Sequence, residues 1–207
     1  MIPVNILALR YLTNASPGLG KALGVPEGYP ALGILTTDSD DATYIALDEA
    51  TKAADVKVSY ARSFYAGAAN ASTPNAGEVI GILAGRTPGA VRSGMEAAVA
   101  ALGRIGFEEV GGVPYLAHTV SRAGSYLSKE AGVREGSALA YLIAPPLESM
   151  YAMDAALKAA DVKLCKLYSP PSETNFGGGL LTGSQSACAA ACAAFEAAVT
   201  EVAKHPK

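Results

Sequence analysis

Apolar positions along the chain fall into two patterns. Short unbroken runs, Ala31–Leu35 and Leu139–Ala144, predict strands buried on both faces. Spaced runs follow each of them. Ile45, Leu47, Thr51 and Ala54 fall near one side at helical spacing, as do Tyr151, Met153, Leu157 and Ala160. After each helix the pattern predicts an extended segment, a Gly-rich loop and a second apolar strand (Gly77–Leu83, then Gly179–Leu181). A long Ala-rich helix closes each half, about Pro88–Leu102 and Ser184–Lys204, and a further strand opens each: Val4–Leu12, and Tyr115–Val120 leading into Ser121.

The two halves repeat residue by residue at one point. Ala46–Lys57 (ALDEATKAADVK) recurs as Ala152–Lys163 (AMDAALKAADVK), with nine of twelve positions identical. Chance does not give that match inside two flanks of the same order, so the chain reads as two copies of one α/β unit. The boundary is expected near Gly103–Val113, where Gly and acidic residues interrupt the helical pattern. Asp48–Lys52 and Asp154–Lys158 are acid-to-base i,i+4 pairs, each contributing a few tenths of a kcal/mol. Asp38, Ser39, Asp40 and Asp41 are expected to cap the first repeated helix and to place negative charge at its positive end.

Composition narrows the function classes. Half of the 207 residues are hydrophobic, 17% are charged and the formal net charge is -3, which excludes disorder. A mildly acidic chain with no Lys/Arg-rich run is not expected to bind nucleic acid. The longest uncharged stretch, Thr174–Phe195, holds Asn175, Gly177–Gly179, Ser184, Gln185 and Ser186, so no membrane span is expected. The start, Met1-Ile2-Pro3-Val4-Asn5, lacks the basic opening of a secretory signal, and three cysteines fit a reducing compartment. The expectation is a cytoplasmic α/β protein.

The order strand, helix ending Lys-Ala-Ala-Asp-Val, loop, strand, Ala-rich helix resembles the bacterial microcompartment (BMC) shell domain. Two such units, each opened by a strand that ordinary members carry late, resemble its circularly permuted tandem type, nearest to the shell proteins of ethanolamine-utilising compartments. The matching segments are Thr37–Lys52 (TDSDDATYIALDEATK), Arg62–Val79 (RSFYAGAANASTPNAGEV), Val120–Ser128 (VSRAGSYLS), Ala140–Glu148 (AYLIAPPLE) and Pro170–Ala187 (PPSETNFGGGLLTGSQSA), spread over nearly the whole chain. The resemblance implies an α/β fold of the α+β, ferredoxin-like kind, with residues 1–108 as the first BMC domain and 109–207 as the second. It implies a homotrimer whose six domains form a pseudohexagonal tile. Tiles join other shell proteins edge to edge around metabolic enzymes, and small metabolites cross through a central pore that loops can close.

Candidate residues follow, each beside its simpler reading. The Gly-rich loops Tyr65–Asn75 and Pro170–Gly179 are flexible connections by themselves. By resemblance they face the threefold axis, where Tyr65, Gly67, Asn70, Asn175, Phe176 and Gly177 would line or plug the pore. Asp40, Asp41 and Glu78 read singly as caps and solvated charge. By resemblance they form an acidic pocket for ethanolamine, in which Asp41 and Glu78 hold the ammonium and Phe107 and Thr174 complete the walls. Lys52 and Lys158 are helix-end lysines, and by resemblance tile-edge residues.

Little else suggests chemistry. Cys188 and Cys192 share a helical face but lack further ligands at metal spacing, so they read as small core residues. His118 and Glu148 are the other metal candidates, with His118 read first as a sheet-edge or interface residue. Ser16–Lys21 lacks the spacing of a phosphate-binding loop and reads as a turn into a short helix. The chain has no activated nucleophile beside a base, no nucleotide fingerprint and only two histidines, His118 and His205. No cofactor and no catalytic site are expected. A ligand-sensing shell component, in which an amino alcohol biases the gate, is the second reading; a shell protein of another compartment and a trimeric enzyme on a ferredoxin-like scaffold stand behind it.

Overall fold

The computed structural model describes residues 1–64, 75, 77–170 and 172–207. The expected loop Tyr65–Asn75 therefore lies, apart from Asn75, outside the described residues. The chain divides into two compact units. The first is Pro3–Ile105 with Gly124–Tyr126; the second is Met1–Ile2, Gly106–Ala123 and Leu127–Lys207.

The first unit is built on four antiparallel strands in the order β1–β2–β4–β3: β1 Ile6–Leu12, β2 Ala31–Thr37, β3 Val56–Ser63 and β4 Val79–Gly85. It also holds α1 (Pro17–Ala22), α2 (Asp40–Ala53) and α3 (Pro88–Leu102). The second unit has β5 Glu108–Val110, β6 Val113–Val120, β7 Ala138–Ala144, β8 Val162–Tyr168 and β9 Gly177–Gly183 in the order β5–β6–β7–β9–β8. Its helices are α4 (Ser125–Ala131, which begins in the part counted with the first unit), α5 (Pro146–Ala159) and α6 (Gln185–Lys204). With β5 set aside, the strand orders are the same. The sequence repeat is a repeat of topology.

The correspondence reaches single residues. Both edge strands β3 and β8 carry an irregularity at one position, between Val58 and Tyr60 and between Leu164 and Lys166, each bending the edge strand away from a flat ladder. Both repeated helices stop at an alanine in extended conformation, Ala54 (φ -146, ψ 160) and Ala160 (φ -148, ψ 158). Val56 N then donates to Ala54 O at 2.8 Å and Val162 N to Ala160 O at 2.9 Å, turning the chain straight into the next strand. The Asp-Val-Lys end of the repeated segment is thus turn and strand rather than helix. β-branched Val suits the strand side of that turn.

A second repeat emerges from the structure. Gly24 and Gly132 (φ 66 and 65), like Gly28 and Gly136 (φ 79 and 84), take left-handed conformations at matching places. Tyr29 N→Pro26 O and Ser137 N→Arg134 O are both 3.1 Å, and Val25 N→Gly20 O and Val133 N→Ser128 O are both 2.9 Å. Residues 13–28 and 121–136 are the same turn and short helix, with identical residues at Ala15/Ala123, Leu19/Leu127 and Lys21/Lys129.

Helices reach the sheets closely because glycines lie beneath them. A Cβ at Gly81 would stand 2.6 Å from Leu47 Cδ1, and one at Gly179 would stand 3.2 Å from Met153 Cε, the equivalent pair in the second unit. Gly177, Gly178 and Gly179 accordingly belong to β9, paired to β7 through Ala144, Ile143 and Leu142, and are not a permissive loop. The expected boundary segment Gly103–Val113 holds a tight hairpin, with Gly111 and Gly112 at φ 58 and 82 between β5 and β6. Thr87 and Ser184 cap α3 and α6 by accepting from Ala90 N and Ala187 N, both at 3.1 Å. Ser39 holds the N-cap position of α2 without a side-chain cap; Asp40 and Asp41 occupy its first turn.

Helix α6 is, among the described residues, the one helix long and apolar enough to cross a bilayer. It buries Cys188, Ala191, Cys192, Phe195, Ala198 and Val199, the one-sided stripe of a helix packed on a core.

Glycine placement gives a differential prediction. Gly178→Ala puts a Cβ 1.9 Å from the Leu142 carbonyl oxygen at φ 145, a clash with backbone that cannot move. Gly81→Ala meets only the flexible end of Leu47. Denaturant unfolding should place Gly81→Ala in the ordinary overpacking range, about 1–3 kcal/mol, and Gly178→Ala beyond it.

Candidate functional site

Register creates the site. Thr37 pairs with Val79 across β2–β4, and Ser63 pairs with the same Val79 across β3–β4. The residues just past these ends, Asp38–Asp41, Phe64 and Glu78, are therefore gathered at one end of the first sheet. Backbone hydrogen bonds lock them: Glu78 N donates to Thr37 O at 2.8 Å, and Phe64 N donates to Glu78 O at 2.9 Å. Gly77, at φ 63, allows this approach, since a Cβ there would lie 2.4 Å from Thr37 O. Around the entry to α2, Thr37 Oγ1 lies 2.7 Å from Thr43 Oγ1 and accepts from Ser39 N at 3.2 Å. Asp38 turns the other way and accepts from Asn5 N and Nδ2 at 2.8 and 2.7 Å.

Asp40 and Asp41 are both buried, unusual for carboxylates in a helical first turn. Asp40 Oδ1 accepts from Asp41 N at 2.8 Å. Burial pushes the Asp40 carboxyl above its ordinary value, against hydrogen bonds from Asp41 N and the Ser63 hydroxyl that pull it down. Burial also raises Glu78, helped by the charges of Asp40 and Asp38. Tyr44, one helical turn beyond Asp40, is pushed up to about 12 by burial and by the charges of Asp40 and Asp41, while Ser63 opposes this. The cluster is thus a half-closed acidic niche that favours an arriving positive charge. Ser63 and Tyr44 were not singled out from the sequence; Tyr44 was reachable through its i,i+4 spacing from Asp40, but Ser63 required strand register.

The remaining candidates separate. Phe107 and Thr174 fall in the second unit. Phe107 packs edge-on against Phe176 at 5.6 Å. Asn175 takes φ 63 in a turn closed by its N–H to Ser172 O at 3.2 Å, and Phe176 N donates to Ser172 Oγ at 3.1 Å. Gly177 opens β9 where a Cβ would lie 2.6 Å from Ser149 Oγ. Tyr65, Gly67 and Asn70 lie outside the described residues. Lys52 forms ion pairs with Glu49 and with Asp48, the latter at 3.9 Å, and Lys158 with Asp154 at 2.5 Å.

The repeated acids diverge in a way the sequence did not announce. Asp48 is fully buried and accepts from Gly124 N at 2.7 Å, while Thr51 Oγ1 accepts from Ser125 N at 3.1 Å. Tyr126 lies against Tyr44 with ring centres 6.0 Å apart. Asp154, the counterpart of Asp48, is exposed.

Among the described residues no group of three His, Cys, Asp or Glu could hold a metal ion. His118 sits within β6 opposite Tyr141, and Glu148 in the first turn of α5. Cys188 and Cys192 are core residues. Thr119 Oγ1 donates to Cys192 Sγ at 3.4 Å, and burial pushes that thiol up to about 11, so it stays protonated at neutral pH.

The raised acids carry a pH prediction. A carboxyl whose folded pKa exceeds its ordinary value disfavours the fold when ionised, so stability falls as pH rises through that window. The window opens at 3.8 for Asp40 and 4.5 for Glu78 and extends to their raised folded values. Asp40→Asn and Glu78→Gln should therefore raise the thermal midpoint at pH 7, and the gain should shrink towards pH 4, as calorimetry across that range would record.

Comparison with known proteins places this geometry. The BMC domain matches residues 31–113. The bacterial microcompartment shell protein EutL of Clostridium perfringens is 58% identical over 210 residues, covering 100% of this chain and 97% of that protein. The EutL of Salmonella typhimurium is 48% identical over 210 residues, covering 100% and 96%. The crystal structure of ethanolamine utilization protein EutL from Leptotrichia buccalis matches with a TM-score of 0.95 at 58% identity, over 99% of this chain and 96% of that one. Two units of one strand order, with this identity along the whole length, leave one conclusion: the chain belongs to the EutL family of bacterial microcompartment shell proteins.

Proposed function

We propose that the protein is a structural tile of an ethanolamine-utilisation compartment in the bacterial cytoplasm. Three copies form a plate of six shell domains, residues 1–108 and 109–207 of each chain, around a central pore. The observation that carries this reading is the twofold recurrence of one antiparallel sheet, β1–β2–β4–β3 and β6–β7–β9–β8, in a chain alike along its length to EutL shell proteins. Transport is selective diffusion, with pore width and charge deciding which solutes cross. The segments holding Tyr65, Gly67 and Asn70, and Asn175, Phe176 and Gly177, line or close the pore. Lys52 and Lys158, each held by acids on its own helix, stand at tile edges.

Asp40, Asp41 and Glu78 take the ammonium group of ethanolamine. A cation relieves the cost of holding ionised carboxylates out of water, and charge-assisted hydrogen bonds orient it. Ser39 Oγ, a buried hydroxyl without a partner among the described residues, adjoins Asp40 in sequence and is suited to the alcohol end. So small a ligand binds weakly.

One observation favours the sensing role as an addition. Ser63 and Glu78 flank the segment that holds Tyr65, Gly67 and Asn70, and both are linked to Asp40: Ser63 hydrogen-bonds it, and the charge of Asp40 raises Glu78. A cation bound here works on both ends of that segment, and it shifts a gate only if its affinity differs between the two gate states.

Sedimentation and electron microscopy should find trimers and extended two-dimensional arrays; a strictly monomeric protein would overturn the tile. Calorimetric titration with ethanolamine should show affinity weakened about tenfold or more in Asp41→Asn and Glu78→Gln, a loss of about 1.4 kcal/mol or more. Indistinguishable heats would remove the acidic site while leaving the tile intact. Shortening residues 65–75 should widen the central opening seen in two-dimensional crystals, and an unchanged opening would exclude this segment as the plug.

A further inference from the structure

The first turn of α2 holds two acids side by side and out of water: Asp40 is 8% exposed and Asp41 7%. Their side chains are hydrogen-bonded to one another. An ionised carboxylate only accepts, so two carboxyls joined in this way need a proton between them. Other acids of the same unit are arranged to stay charged. Asp48 receives the Gly124 N–H at 2.7 Å and stands 3.9 Å from Lys52 Nζ. Asp38 receives two donors from Asn5. Around Asp40 the neighbours are acids instead. Among the described residues, the titratable groups facing it are Asp41 and Tyr44 on its own helix and Glu78 ahead of β4, with Asp38 acting on Glu78 in turn. From β3 comes a hydroxyl: Ser63 is hydrogen-bonded to both Asp40 and Tyr44.

We propose that the ligand-free niche stores one proton between the Asp40 and Asp41 carboxyls and that a primary ammonium ligand displaces it, so that binding exchanges one proton for one cation. The exchange balances. A carboxyl O–H bond breaks, the proton passes to solvent, and ammonium N–H groups donate to the freed oxygens, leaving the net charge of the niche unchanged. The hydroxyl chain receives the new state. A single Ser63 O–H donates once; when Asp40 is ionised it points there, and the Tyr44 O–H donates to Ser63 Oγ. Burial holds the Asp40 carboxyl above its ordinary value, and the stored proton belongs to the pair rather than to either member. The second repeat has no such pair, since Pro146 and Leu147 stand where Asp40 and Asp41 stand in the first.

The inference rests on the ethanolamine-site reading and adds the proton that this site gives up. Affinity then follows pH. While the pair is loaded, each unit of rising pH weakens the competing proton tenfold, so binding tightens about tenfold per unit until the pair empties by itself. The ligand keeps its own charge throughout, because a primary aliphatic ammonium titrates far higher, in the range of lysine.

The test mixes the native protein with ethanolamine hydrochloride in weakly buffered solution from about pH 5 to about pH 7. An indicator dye records proton release, and calorimetry gives the dissociation constant at each pH. About one proton should leave per ligand bound at the acid end, and the dissociation constant should fall about tenfold per unit there before levelling. Ethylene glycol, which carries no charge, should release none. Ser63→Ala removes a donor to the ionised form and should carry the whole profile to higher pH; Ser63→Thr should restore it. Asp40→Asn should abolish the release and flatten the profile, and the infrared band of a protonated carboxyl in the ligand-free native protein should be lost in this variant whether or not it binds. Ethanolamine bound with no proton released, release that persists in Asp40→Asn, or an unchanged infrared band would each overturn the exchange while leaving the site. Absence of binding at every pH would remove site and exchange together.

Discussion

The register of the central strand pair governs this protein. Thr37 opposite Val79, with Ser63 opposite the same residue, brings three chain segments to one end of the first sheet. A slip of one residue would turn every inward side chain outward, and β2, buried along most of its length, could not tolerate that. The glycines set the second part of the constraint. Gly81 and Gly179 let Leu47 and Met153 press onto the strand backbone, and this close approach fixes where α2 and α5 begin. Asp40 and Asp41 are consequently held in a buried first turn near Glu78, and their carboxyl chemistry is a by-product of strand pairing.

Duplication explains what is shared, and divergence explains what is specialised. The extended alanines ending α2 and α5, the irregularities in β3 and β8, and the matched left-handed glycines are geometry that either copy needs in order to fold. The acidic niche belongs to the first copy alone. Where α2 carries Asp41, α5 carries Leu147, and Tyr151 replaces Ile45. One copy thus concentrates charge at its helix start while the other presents an apolar surface. Such division of labour is open to a two-domain chain and closed to a ring of identical single domains.

Much of the architecture was legible in the residues. Unbroken apolar runs marked β2 and β7, three-to-four spacing marked α2 and α5, and the nine-in-twelve match marked the duplication. These are local or periodic signals, and they are carried by side-chain type. The Gly177–Gly179 run was misread as a loop because glycine permits two opposite uses, freedom in a turn and close approach in a buried strand. Only the packing of Leu142, Ser149 and Met153 decides between them.

The sequence by itself determined the repeat and the order of elements, because each depends on neighbours a few positions apart. Tertiary structure alone decided which residues meet. Glu78 is separated from Asp40 by a helix and a strand, and Gly124 reaches Asp48 across 76 positions. Burial of Asp48 and exposure of its twin Asp154 likewise have no local signature, since a carboxylate's surroundings are set by whatever distant backbone arrives to donate to it.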